Sequence, residues 1–227
     1  MLVALNIFYY IIIFIMGTIF GSFFTLAVYR IPLKKDITHE RSFCPNCNHK
    51  LGFLDLIPVW SYIFLRGKCR YCGQKIRPRY LILEILSGTV FLIAYISFKI
   101  TIYNIDWFKL TQFIFFVFTY ITLIIIGFID KEHHMVHKKT LLFGYIIEII
   151  HYIVNIAVFN TFSIYNSLYN LALLIQLTIL TIYDLRNKNK NKKDKKNKNI
   201  KNLPPISFYT SLISILAIII MSFIINY

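Results

Sequence analysis

Acidic residues are scarce in this sequence, which has 10 Asp and Glu against 25 Lys and Arg. Charged residues make up only 15% of the chain, 57% is hydrophobic, and the mean hydropathy is +0.62. A composition this poor in charge excludes an ordinary soluble domain. The net charge of +15 would suggest nucleic acid in a soluble protein. Here the basic residues are confined to a few loops, so we expect a membrane and no nucleic-acid partner.

Two further patterns are missing. The N-terminus lacks the short apolar core and small-residue cleavage site of a secretory signal peptide, so we expect a retained first span. The alternating pattern of a membrane β-barrel is also missing, which leaves helices as the spanning elements. Six windows have the ~20 apolar residues that a span needs. The sequence therefore predicts an all-α polytopic membrane protein with about six transmembrane helices, near 7–28, 81–99, 110–129, 140–158, 164–184 and 206–225.

The basic residues predict the orientation. With six spans, the loops 29–80, 130–139 and 185–205 share one face and hold 23 of the 25 Lys and Arg residues. The positive-inside rule places these loops in the cytoplasm. Within the last of them, 187–202 is a low-complexity tract of Lys and Asn, which we expect to be disordered and to lie on anionic membrane lipid.

Cysteine occurs only four times, and all four residues lie in one polar stretch, as Cys44-Pro-Asn-Cys47 and Cys69-Arg-Tyr-Cys72. Two Cys-x-x-Cys pairs separated by twenty-one residues are typical of a tetrahedral zinc site. Two disulfides are the alternative, but a reducing cytosolic location favours zinc. The expected domains are a first transmembrane helix (1–32), a cytoplasmic zinc-binding module (33–79) and a helical transmembrane domain (80–227).

Several residues in the spans bear on function or packing. Gly17 and Gly21 form a small-x-x-x-small pair that predicts close helix packing. Glu84 lies about one turn inside span two, where a carboxylate is costly unless it is paired, so it is a functional candidate. In span four, Glu148 and His151 are three residues apart and could pair.

Asp130 and Asp184 end spans three and five, and the topology returns both to the same cytoplasmic boundary. If they approach each other, like charges in a poorly solvated site cannot both ionise cheaply, so one proton is shared. The ionised carboxylate then takes a proton from water, and the protonated one donates to the scissile carbonyl oxygen, as in aspartic peptidases.

Several stretches together resemble the type IV prepilin peptidases, which are leader peptidases and N-methyltransferases. Gly21-Ser-Phe-Phe-Thr25 and Tyr29-Arg-Ile-Pro32 are similar to the family's Gly-Ser-Phe-Leu-Asn and Tyr-Arg-Leu-Pro. The cysteine pairs match its zinc module, and Arg79-Tyr-Leu-Ile-Leu-Glu84 resembles its Arg-Tyr-Pro-x-x-Glu. Ile129-Asp130-x-Glu132 resembles the segment with the first catalytic aspartate. The resemblance is close over 15–135 and loose afterwards.

The resemblance implies an aspartic endopeptidase in the bacterial cytoplasmic membrane, with Asp130 and Asp184 as catalytic residues. Such enzymes remove the leader of type IV prepilins and pseudopilins and usually methylate the new N-terminus with S-adenosylmethionine. It also implies structural zinc on Cys44, Cys47, Cys69 and Cys72, and Glu84 as the candidate for the methyl donor.

The chain departs from the family pattern in its second half. The Gly-x-Gly-Asp motif of the second aspartate is missing, and Thr25 replaces the usual Asn. Asp184-Leu-Arg186 is either the degenerate second aspartate or part of a later helix. The alternatives to a peptidase are therefore a degenerate paralogue that binds prepilins as an assembly scaffold, or a remnant that only methylates.

Overall fold

The computed structural model describes residues 2–36, 41–100, 106–133, 136–159, 164–193 and 206–225. These residues form helices and loops, and no strand lies among them; their only β pairing is two isolated bridges. A 3₁₀ turn at Phe53–Asp55 is followed by a short helix, α2. The helices are α1 (Leu2–Arg30), α2 (Trp60–Phe64), α3 (Arg79–Ser97), α4 (Trp107–His133), α5 (Lys138–Ala157), α6 (Ile164–Lys193) and α7 (Ile206–Ile225).

The long helices confirm the predicted fold class. Within the described residues, four helices are long and apolar enough to cross a membrane: Leu5–Arg30, Arg79–Ser97, Trp107–His133 and Lys138–Ala157. The two remaining predicted spans coincide with α6 and α7, of which α7 has a shorter apolar stretch, Ser207–Ala217, in the described set.

Helix α6 extends beyond its predicted span. It continues to Lys193, so the first residues of the tract 187–202, which we expected to be disordered, are helical. Adding residues to an existing helix avoids the cost of nucleation, which allows the apolar span to extend into a polar sequence. The rest of the tract, 194–202, lies outside the described residues.

The chain divides into two compact units, Met1–Tyr95 and Ile96–Tyr227. In the first unit, α1 and α3 cross closely at the two predicted glycines. A Cβ on Gly17 would lie 2.8 Å from the Gly88 Cα, and one on Gly21 would lie 2.8 Å from the Glu84 Cα. These distances leave no room for a side chain, so the predicted role of Gly17 and Gly21 in close packing is confirmed.

In the second unit, α5 and α7 each pack against both α4 and α6. Helices α4 and α5 are antiparallel, because Gln112 faces Asn155 and Thr119 faces Glu148 across them. Leu177 and Leu180 of α6 join the α4 and α5 side chains in one apolar cluster, completed by Ile126, Val136 and Leu141. The unit is therefore a bundle in which α4 and α6 lie on opposite sides of α5 and α7.

Candidate functional site

Each cysteine pair lies in a turn held by its own backbone. Cys44 N–H donates to the His49 carbonyl at 3.0 Å, and Asn48 N–H donates to the Cys44 carbonyl at 2.8 Å. Cys69 repeats both bonds with Gln74 and Gly73, at 2.8 and 2.9 Å. The residue directly after the second cysteine of each pair has a left-handed backbone, with φ of 55° at Asn48 and 69° at Gly73. Two equivalent knuckles therefore present their thiols without help from the rest of the fold.

The two knuckles bring all four sulfur atoms together. The four Sγ atoms lie within 4.8 Å of one another, and all four cysteines are free thiols. Cys44 Sγ and Cys72 Sγ are 3.9 Å apart. Thiolates at 2.3 Å from a tetrahedral zinc ion would be about 3.8 Å apart. The donor set therefore fits one zinc ion, and the structure does not form the alternative disulfides.

Polar groups around the Cys72 sulfur favour its thiolate form. The backbone N–H of Gln74 and the side-chain amide of Asn46 lower the pKa of the Cys72 thiol to about 7. The Asn46 Nδ2 lies 3.7 Å from the Cys72 Sγ. Because only the thiolate form ligates zinc, this environment prepares Cys72 for metal binding.

Asp55 connects the segment between the two cysteine pairs to the second knuckle. Its carboxylate accepts hydrogen bonds from Arg70 Nε at 2.7 Å, the Tyr71 hydroxyl at 3.2 Å and the Gly52 N–H at 3.1 Å. Burial alone would raise the pKa of Asp55, but the bonds from Arg70, Gly52 and Tyr71 outweigh it and hold the pKa below its ordinary value. The ionised carboxylate therefore holds the segment between the knuckles in place.

Glu84 is bound inside the first unit. Its side chain is 8% exposed, and its Oε2 accepts a hydrogen bond from the Val59 N–H at 2.7 Å. The Ser22 hydroxyl, in the stretch 21–25, bonds to the same carboxylate. Since Gly21 packs on the Glu84 backbone, this residue joins α1, α3 and the start of α2.

Asp130 lies at the end of α4 beside the start of α7. It is fully buried, and its Oδ2 accepts a hydrogen bond from the Ser207 N–H at 3.1 Å. The helices approach closely there, because a Cβ on Gly127 would lie 3.3 Å from the Phe208 Cα. Phe128 and Phe208 meet edge to face at 5.1 Å between centroids. The α7 N-terminus thus places a backbone N–H group, which has no acceptor within its own helix, against the carboxylate.

Asp184 lies on α6 and is 7% exposed. Its position along the bundle axis follows from two residues of α5, each of which contacts both α4 and α6. Gly144 meets Thr122 of α4 and Leu177 of α6, and His151 stacks on Phe115 of α4 and bonds to Asn170 of α6.

Both contacts relate α4 to α6 by the same shift of 55 residues, from 122 to 177 and from 115 to 170. The two helices therefore run parallel, and Asp130 is level with residue 185. Asp130 and Asp184 thus lie within one residue of the same height on two parallel helices.

A polar network in the spans was not predicted from the sequence. His151 Nε2 lies 2.8 Å from Gln112 Oε1, and the Gln112 amide donates to Asn155 at 2.5 Å. Glu148 Oε1 accepts from the Thr119 hydroxyl at 2.6 Å, so the expected pairing of Glu148 with His151 is wrong. Glu148 and His151 thus both have hydrogen-bond partners on α4, and His151 has a second partner, Asn170, on α6. Glutamine and asparagine inside apolar spans were the signal that could have revealed the network.

The class of protein is now defined: a polytopic membrane protein with a four-cysteine metal-binding module between its first two long helices. Residues 15–98 match the family model of the bacterial peptidase A24 N-terminal domain. This stretch of the chain is similar to the N-terminal domain of that peptidase family, and curated proteins that match the chain are named prepilin leader peptidase/N-methyltransferase.

Individual relatives agree with the family match. The prepilin leader peptidase/N-methyltransferase of Klebsiella pneumoniae is 38% identical over 88 residues, which is 36% of this chain and 39% of the relative. The Bacillus subtilis protein of that name is 42% identical over 91 residues, 40% and 37% of the two chains. The one from Vibrio cholerae is 36% identical over 118 residues, 48% and 46%. The match thus spans less than half of each of these relatives, and no solved structure matches the chain.

Proposed function

We propose that this chain is a membrane-embedded aspartic peptidase that cleaves the leader of type IV prepilins or pseudopilins at the cytoplasmic face of the bacterial membrane. The observation that carries the proposal is the equal height of Asp130 and Asp184, both buried, on two parallel helices. The names of the relatives supply the substrate class. The basic loops supply the orientation.

The bundle geometry supports a pair of carboxylates at its centre. Ile126 and Leu180 lie four residues before the two aspartates and belong to one apolar cluster, so each aspartate continues the inward face of its helix by one turn. Neighbouring helices pack about 8–10 Å apart, which puts diagonal axes roughly 13 Å apart. Aspartate side chains that reach inward from both axes would then approach to within a water-bridged distance.

Aspartic-peptidase chemistry needs one carboxylate to accept a proton and the other to donate one. Asp130 is the aspartate with a backbone donor beside it, since its Oδ2 accepts the N–H of Ser207 at the start of α7. We assign it as the general base that takes a proton from the attacking water. Asp184 would be the partner that donates a proton to the carbonyl oxygen of the scissile peptide bond.

Zinc would be held by Cys44, Cys47, Cys69 and Cys72, where it would supply structural cross-linking. Methylation of the new N-terminus with S-adenosylmethionine is the second part of the proposed function. Glu84 is 8% exposed and its carboxylate accepts the Val59 N–H, so it does not line an open pocket for this cofactor. We therefore assign Glu84 a positioning role and derive no step through the cofactor.

One observation favours a second candidate function. The family match ends at residue 98, before either aspartate, and it covers the cysteine module and Glu84. A chain that kept this domain and lost cleavage would bind prepilins as a scaffold, or would only methylate them.

The test is a leader-cleavage assay with the full chain in membranes and a prepilin from the same source. We expect cleavage by the parent chain, none by Asp130→Asn or Asp184→Asn, and full cleavage by the control Asp106→Asn, which changes an exposed residue at the start of α4. Loss in Asp130→Asn alone would rule out Asp184 as the partner. No cleavage by a folded, zinc-loaded parent would favour the second candidate, and a methyl-transfer assay would then separate scaffold from methylase.

A further inference from the structure

The segment between the cysteine knuckles has an apolar face that is exposed to its surroundings. On α2, Trp60, Ile63 and Phe64 follow the i, i+3, i+4 spacing of one helix face and are 58%, 56% and 77% exposed. The adjoining 3₁₀ turn adds Phe53 and Leu54, at 82% and 64%. We call these five residues the apolar face. An exposed cluster of large apolar side chains marks a surface that is covered in use.

The depth of this face follows from Glu84. This residue is five positions into α3, or about 7.5 Å along the helix from Arg79. Its carboxylate accepts the N–H of Val59, the residue directly before α2. Glutamate side chains in helices lean toward the N-terminus, so the bond lies beside the first turns of α3. Helix α2 therefore begins alongside the membrane helix and not beyond its end.

The backbone at this point is strained. Val59 has φ of 64° and ψ of −53°, and Trp60 N–H bonds to the Pro58 carbonyl at 2.6 Å. These values describe a γ-turn of the rare form, which is costly for a β-branched residue. The bond from the Val59 N–H to Glu84 holds the turn in this conformation.

The surroundings fit the polar boundary of a bilayer. Ile82 and Ile85, on the first turns of α3, are 58% and 41% exposed, as expected for side chains that face lipid tails. Arg79 at the start of α3 lies over the Tyr80 ring at 5.0 Å, a pairing typical of the membrane interface.

The charges nearby are basic. Exposed cations flank the apolar face, and the acidic residue of the segment, Asp55, has a side chain only 5% exposed and pairs with Arg70. Such a surface is complementary to anionic headgroups. These exposed cations include Lys50, Arg66 and Arg77.

We propose that the apolar face inserts into the lipid leaflet at which α1 ends and α3 begins, with the flanking cations on anionic phospholipid headgroups. The burial expected for an amphipathic helix at this boundary, about 5–10 Å, agrees with the position of Glu84. The side of the metal module that carries the apolar face is then held against the membrane. This inference does not depend on whether the chain cleaves or methylates a substrate.

Tryptophan fluorescence tests the insertion directly. The chain has two tryptophans, so Trp107→Phe leaves Trp60 as the single reporter. The full protein is reconstituted in phosphatidylethanolamine and phosphatidylglycerol vesicles, with or without bromine on the acyl chains. We expect blue-shifted Trp60 emission that brominated lipid quenches strongly and aqueous acrylamide quenches weakly. The control variant combines Trp60→Phe, Trp107→Phe and Lys75→Trp. Its single tryptophan then lies at an exposed residue beside the second knuckle. Acrylamide should quench this tryptophan strongly, and brominated lipid should quench it weakly.

A matched pair of variants tests the role of Glu84. Glu84→Ala removes the acceptor for Val59 N–H and should reduce quenching of Trp60 by brominated lipid several-fold, whereas Glu84→Gln keeps an acceptor and should retain it. Trp60 that acrylamide quenches as readily as the Lys75→Trp reporter would overturn the proposal. A blue shift that appears only when a prepilin N-terminal peptide is added would also overturn it, because the apolar face would then bind peptide. A blue shift that appears only at high protein-to-lipid ratio would overturn it as well, because the face would then bind a second copy of the chain.

Discussion

Asp130 Oδ2 accepts the Ser207 N–H at 3.1 Å, which joins the end of α4 to the start of α7 across 77 residues of sequence. The bond connects a buried carboxylate to a backbone donor that has no partner within its own helix. The position of the Asp130 carboxylate and the packing of α7 are thus coupled through one contact.

Ser207→Pro should remove this contact selectively. Proline in the first turn of a helix costs little, since the N–H there makes no intrahelical bond. We expect a loss of about 1.5–3 kcal/mol in unfolding free energy, as for other hydrogen bonds to charged groups. Ser207→Ala keeps the N–H and is the control. Equal melting curves for the two variants in detergent would contradict the importance of the bond.

Gly21→Ala should separate α1 from α3. The added Cβ would lie 2.8 Å from the Glu84 Cα, and neither backbone can yield without moving a helix. Overpacking of this kind costs about 1–3 kcal/mol. At Gly52 the nearest atom would lie at 3.6 Å, so Gly52→Ala should be almost neutral. Thermal unfolding of both variants compares the two sites, and similar midpoints would refute close packing at Gly21.

Gly73→Ala isolates the backbone requirement of the second knuckle. Nothing lies within 4 Å of the added Cβ, so the effect comes from φ of 69° alone. The left-handed conformation costs about 1–2 kcal/mol, which corresponds to roughly tenfold weaker zinc binding. Asn48→Gly relaxes the equivalent position and should bind at least as tightly as the parent. Competition with a chromophoric chelator gives both values, and unchanged affinity in Gly73→Ala would argue against preformed knuckles.

Asp55→Asn should destabilise the cysteine module in a pH-dependent way. The folded pKa of Asp55 is lowered, so its contribution is present above the unfolded value, about 3.9, and is lost as the pH falls through the folded value. The variant should therefore melt a few degrees below the parent at pH 6, and the two should converge near the acid end of the scan. A difference that persists below both pKa values would point to a cause other than the carboxylate charge.

Thr119→Val should leave the buried Glu148 Oε1 without its donor. Glu148 is 2% exposed and lines a cavity of about 10 Å³ together with Thr119, Thr122 and Gly144, which gives little room for a replacement water. We expect a loss of about 1–3 kcal/mol. The double variant Thr119→Val/Glu148→Leu should recover much of it, because no polar atom then stays unpaired. Additive losses in the double-mutant cycle would exclude coupling between the two residues.

Features with local causes were predictable from the sequence. The spans follow from apolar runs, the metal module from the spacing of Cys44, Cys47, Cys69 and Cys72, and the helix crossing from Gly17 and Gly21. Each depends on residues close in sequence or on composition alone. The common height of Asp130 and Asp184 was expected in outline, because short connections force helices to alternate in direction.

Features with distant partners were not predictable. The bond of Glu84 to Val59 needs a γ-turn that a valine gives no reason to expect. Glu148 bonds to Thr119 and His151 to Gln112, both on α4, at separations of 29 and 39 residues. Helical spacing identified the face of α5 that carries both residues, but it could not indicate which neighbouring helix that face would meet.

The repeated hydrogen bonds of the two knuckles bear on the order of events in metal uptake. Each turn closes on its own backbone, so either cysteine pair can capture an ion before the other arrives. The second pair then needs only closure of the intervening chain, a motion that takes about a tenth of a microsecond for short loops. Capture should therefore be stepwise, with a two-thiolate intermediate, and its overall rate should follow the first encounter with the ion.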